Sequence, residues 1–78
     1  MRMSAFEKYI IADLRGIWAT MKPKDAITPV LLSQILDIHH NNAMDILAYS
    51  YNHDLLDGCI LFKRPTPKAF TPVYIKYK

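Results

Sequence analysis

The side chains with most chemistry to offer form one short run, His39-His40-Asn41-Asn42, followed by Asp45 and, one helical turn further on, Tyr49. Asparagine can meet adenine with two hydrogen bonds, histidine can donate to a purine acceptor or a phosphate, and aspartate can accept from the amino group of cytosine. Asparagine at a helix start also caps free backbone amides, so capping stands beside base reading for Asn41 or Asn42. A second group is cationic. Lys63, Arg64, Lys68, Lys76 and Lys78 can neutralise backbone phosphates, and Arg64 can enter a minor groove; a solvated basic surface is the plainer alternative.

The remaining inventory argues against catalysis. There is no serine, histidine and acid set within a supporting motif, and no paired carboxylates are expected. The two glycines, Gly16 and Gly58, cannot build a phosphate-cradling loop. His39 and His40 are adjacent and so diverge on any regular element, while His53 is distant and has no cysteine partner. The expectation is therefore a non-enzyme with no metal and no cofactor. Cys59, the single cysteine, cannot form an internal disulfide; beside Ile60 in an apolar run it reads as a packing residue in a reducing compartment.

Several elements must position these groups. Ser4 and Glu7 have the spacing of a capping box, and Phe6, Ile10, Leu14, Ile17, Trp18 and Met21 then recur at helical spacing, with Lys8, Arg15 and Ala19 opposite, up to the stop at Pro23. Thr28-Pro29 supplies a cap and a first-turn proline for a short second helix, with Leu31, Leu32, Ile35 and Leu36 buried and Ser33, Gln34 and Asp37 towards water. The polar stretch Asp37 to Asn42 turns the chain into a third helix, whose Ala43, Ile46, Leu47, Ser50 and Tyr51 share one side and Asp45, Tyr49 and Asn52 the other. That helix should loosen near His53, because Asp54 would otherwise fall on its apolar side, leaving Leu55 and Leu56 to close the core. Asp57-Gly58 supplies a further stop. Cys59 to Lys63 and Val73 to Tyr77 then read as strands, the second with Val73, Ile75 and Tyr77 inward and Tyr74, Lys76 and Lys78 outward. The loop from Arg64 to Phe70 carries prolines that a central strand would not tolerate, and Phe70 is expected to fold back on the hairpin.

Seventy-eight residues, half of them apolar, suit one domain with one small core spanning 1–78. No run of eighteen apolar residues occurs, and the start leads into an amphipathic segment, so the expectation is a cytoplasmic protein without a membrane partner. The net charge of +3 mildly favours polyanions, but its distribution says more. Between Pro29 and Gly58 stand Asp37, Asp45, Asp54 and Asp57 and not one Lys or Arg; the cations lie on the flanks.

A helix, a short helix, a turn, a third helix and then a hairpin with a basic loop resemble a winged helix-turn-helix domain over nearly the whole chain. Leu32 and Leu36 match the buried positions of the positioning helix, Ile38 the turn residue that plugs the core, Ala43 and Leu47 the inward positions of the next helix, and Gly58 and Ile60 the opening of the first wing strand. Asp37 stands where that family often has glycine, and the third helix runs about one turn longer than is common. The resemblance implies an α+β fold of three helices followed by a two-stranded antiparallel hairpin, with the helix-turn-helix at about 29–56 and the wing at about 59–78. It also implies a small transcriptional regulator of the kind phages and other mobile elements encode, binding double-stranded DNA, with a homodimer on two half-sites. His39, His40, Asn41, Asn42, Asp45 and Tyr49 would then read bases, and Lys63, Arg64, Lys68 and Lys76 would hold phosphates. The acidic middle of the chain favours a rival expectation, a protein-interaction module that docks on a partner protein through the third helix.

Overall fold

The computed structural model describes residues 5–67 and 70–77. Among these the chain forms α1 (Ala5–Thr20), β1 (Ala26–Ile27), α2 (Pro29–Leu36), α3 (His40–Asn52), β2 (Cys59–Pro65) and β3 (Phe70–Lys76). The fold is α+β, with three helices packed on a three-stranded antiparallel sheet of order β1-β3-β2. No described helix is long and apolar enough to cross a membrane.

The expected sheet had two strands, and β1 is the addition. Two residues are too few to show an alternating pattern, and their pairing is imposed from outside. The Asp25 carboxylate accepts from the Lys22 amide at 2.9 Å, the Asp25 amide donates to the Lys22 carbonyl at 3.0 Å, and Lys24 takes a φ of 79°. This proline-containing turn swings the chain alongside β3, where the Lys24 amide donates to the Lys76 carbonyl and the Lys76 amide to the Asp25 carbonyl at 2.8 Å. Ile27, fully buried, anchors the strand to the core.

Along α1 the expected stripe holds for Ile10, Leu14 and Trp18, with Ile11 also buried, but Phe6 is exposed. Phe6 and Tyr9, near the start of the helix, are both open to solvent. Ser4 of the expected capping box lies outside the described residues. On α2, the Thr28 hydroxyl accepts from the Leu31 amide at 3.2 Å, and Pro29 occupies the first turn. Pro29 and Leu32 are buried and Leu36 half-buried, whereas Leu31 and Ile35, expected inside, are exposed. Neighbouring helix positions differ by about 100°, so burying Leu32 and Leu36 against α3 turns Leu31 and Ile35 away.

Asp37 ends α2 with left-handed φ and ψ of 52° and 51°, a geometry that aspartate tolerates better than most residues. Ile38 then packs against the core. Ala43, Ile46, Leu47 and Ser50 are the buried side of α3, as the spacing predicts. The helix ends at Asn52, Asp54 takes a φ of 56°, and Leu56 closes the core. Gly58, with φ 66°, therefore launches β2 rather than stopping a helix that has already ended.

On β3 the expectation holds for Val73, which is 4% exposed, and fails for its neighbour Tyr74. Tyr74, expected outward, is 3% exposed and packs in the core beside Ile27 and Leu61, its partners across the ladders, and edge-to-face on Tyr51 at 5.8 Å. Ile75 is half-buried and Tyr77 half-exposed on the opposite face. Both alternating sets are rich in apolar atoms, so the pattern alone could not choose between faces.

Candidate nucleic-acid interface

The opening of α3 is built by His39. Its Nδ1 accepts from the Asn41 amide at 3.2 Å, making His39 the N-cap and starting the helix at His40. Neither Asn41 nor Asn42 is the cap, so the capping alternative weighed for them does not apply. With Nδ1 as acceptor, the neutral ring carries its proton on Nε2, leaving that N–H as the donor for an outside partner. His40, Asn41, Asn42 and Asp45 are all exposed. They occupy the first two turns of a thirteen-residue helix whose width suits a major groove.

Tyr49 is not part of that exposed group. It is half-buried, packs against the core, and stacks on His53 with ring centroids 4.0 Å apart. In its place the structure brings Met44 and Ala48 to the exposed side of α3, which sequence reasoning passed over because neither carries a polar group. Asp37, Asp45, Asp54 and Asp57 are all exposed, so the acidic character of the central segment is expressed at the surface.

The hairpin divides its cations. Lys63 and Arg64 are exposed on β2, opposite Pro72 and Thr71 of β3. Side chains alternate across a strand, so Lys63 shares the helix-covered face of the sheet with Leu61 and Tyr74, and Arg64 shares the opposite face with Phe62. Lys68 and Lys78 lie outside the described residues. Phe70, expected to fold back, is 65% exposed.

Lys76 is placed elsewhere. Its Nζ donates to the Trp18 carbonyl in the last turn of α1 at 2.6 Å and stands 6.0 Å from the Trp18 ring centroid. The Trp18 indole N–H in turn donates to the Asp57 carbonyl at 2.7 Å. A cation at a helix C-terminus complements the exposed carbonyls there, and the ring adds cation–π attraction. Lys76 is thus a structural tie between α1 and β3. Sequence spacing could not reveal this, because the partners are 58 residues apart.

Comparison with protein-family models, with curated proteins and with solved structures gives no match to this chain. Among the described residues there is no pocket and no cluster of His, Cys, Asp and Glu placed to hold a metal ion. The Cys59 thiol is pushed by burial from 9.0 to about 11, which makes it a poor nucleophile at neutral pH.

Proposed function

We propose that this chain is a winged helix-turn-helix protein that binds double-stranded DNA non-enzymatically in the cytoplasm, acting as a transcriptional regulator. The observation that carries the reading is the pairing of an exposed polar helix start, His40 to Asp45, with an exposed basic hairpin bearing Lys63 and Arg64. The order α2, turn, α3, β2, β3 is the one this reading needs, and β1 adds a strand without disturbing it. In this arrangement α3 lies in the major groove, Asn41, Asn42 and His40 meet base edges, and the His39 Nε2–H reaches a phosphate or a purine acceptor. Asp45 selects cytosine and repels phosphate, so the helix confers preference more than affinity.

Affinity then comes from the wing. With Lys63, Arg64 and Lys68 each neutralising a phosphate, the log–log dependence of binding on salt has a slope of roughly −2.7. The direct test is selection from a randomised duplex pool by the purified protein at low salt. Enrichment of one short sequence is expected, and failure to retain any duplex refutes the reading.

A second reading has its own observation. Val30, Leu31 and Ile35 of α2 and Met44 of α3 are exposed apolar side chains in the helical half of the molecule, accompanied by exposed aspartates. Such a surface suits a protein partner better than a phosphate backbone. Replacing Leu31 and Ile35 with Ser abolishes capture of that partner under this reading and leaves DNA binding unchanged under the first.

A further inference from the structure

The free edge of β2 is the least protected feature of the molecule. β3 pairs with one side of β2, and no described strand pairs with the other. The Tyr77 amide donates to the Gly58 carbonyl at 2.9 Å, and the Lys76 backbone bonds towards β1, so the alternation along the ladder is determined. Ile60, Phe62 and Arg64 direct their backbone groups at β3, and Cys59, Leu61 and Lys63 direct theirs at solvent. Natural edge strands are guarded by charge, proline or a bulge. Here the guards, Lys63, Arg64 and Pro65, stand only at the far end, while Cys59 to Phe62 is uniformly apolar. Ile60 and Phe62 are 48% and 51% exposed on the outer face.

We infer that β2 pairs antiparallel with β2 of a second copy of this chain, about a two-fold axis at Leu61, to make one continuous sheet across the dimer. The pattern of the strand favours its own copy over other partners. The outward-pointing residues match each other: Leu61 faces Leu61 of the second copy, and Cys59 faces Lys63, so every free donor and acceptor of these three residues finds its complement. On the outer face Ile60 falls opposite Phe62 in a closely spaced pair, twice over by symmetry. Charge is complementary too. The strand is entered past acidic Asp54 and Asp57 and left through basic Lys63 and Arg64, so reversing one copy sets acid against base at both ends. A parallel copy would set like against like.

This surface goes beyond the DNA-binding reading and does not depend on it, because the test needs no DNA. Sedimentation equilibrium of the full chain should give twice its 9.0 kDa mass at high protein concentration and dissociation on dilution. Lys63→Pro removes an outward N–H without touching the β2–β3 ladder. It should abolish the dimer while circular dichroism shows an intact fold. Asp57→Lys should weaken the dimer severalfold, and adding Lys63→Asp should restore it. In a Cys59→Ala background, Ile60→Cys with Phe62→Cys should oxidise to a covalent dimer, because paired positions of this type bring Cα atoms about 4.5 Å apart. Either single cysteine should not. A wild-type chain that stays monomeric at every concentration overturns the inference. So does a dimer that survives Lys63→Pro and fails to cross-link, since that dimer uses another face, such as the exposed side of α2.

Discussion

The start of α3 and the β2–β3 hairpin divide the work of the proposed interface along a physical line. The helix start carries polar groups capable of distinguishing one base from another, together with Asp45, and no cation. The hairpin carries Lys63 and Arg64 on two different faces and little that discriminates. Under the proposed DNA-binding reading, preference and affinity are therefore separable, because hydrogen-bond matching and counterion release reside on different elements. In a protein whose recognition helix is itself basic, one substitution alters both.

The largest expected effect breaks the hairpin side of that comparison. Replacing Lys63, Arg64 and Lys68 with Ala should weaken binding to every duplex alike and bring the salt slope from roughly −2.7 towards zero. A filter-binding or fluorescence titration across a salt series reads both. Asn42→Ala tests the helix side. It should leave the salt slope alone and lower discrimination at one base position by about 1–3 kcal/mol, measured against a panel of single-base variants of the selected sequence. Because His39 is the cap, Asn42→Ala should leave stability to denaturant nearly unchanged, and His39→Ala should lower it by about 1 kcal/mol.

Lys76→Met sharpens the boundary of the hairpin region. It should lower stability by about 1 kcal/mol through loss of the bond to the Trp18 carbonyl, with the salt slope of DNA binding unaltered. An altered slope would return Lys76 to the phosphate-binding set. The smallest effect is at the root of β2. Burial raises the folded Cys59 thiol to about 11 from 9.0, so below pH 9 the thiol is neutral in both states and its contribution is fully present. Between pH 9 and 11 the unfolded thiol ionises first, and stability falls as pH rises. Tyr74, also raised chiefly by burial, adds loss in the same direction at the alkaline end. Chemical denaturation at stepped pH should show the decline, and Cys59→Ala should make it shallower.

Much of the framework was legible in the chain because its signals are local. Thr28-Pro29 starts α2, the buried spacing of Ala43, Ile46, Leu47 and Ser50 orients α3, and the expected break near His53 appears where Asp54 would have met the core. The interface was legible as residue types but not as an arrangement. His39, read as a base contact, spends one ring nitrogen on the Asn41 amide, and Tyr49 leaves the exposed row to stack on His53. Both are choices among competing local partners that differ little in energy, and spacing does not rank them.

The sequence by itself determined the three helices, the hairpin and the segregation of charge, since each follows from periodicity, caps and composition within a few turns of chain. Only the tertiary structure decided that Tyr74 of β3 is inside, that Ala26 and Ile27 form a third strand, and that Lys76 bonds to the end of α1. The physical reason is the same in each case. A two-residue strand, a strand with two apolar faces and a lone lysine carry no internal preference strong enough to settle their partners. The pairing of Ala26 and Ile27 with β3, and the bond across 58 residues from Lys76 to Trp18, settle them instead.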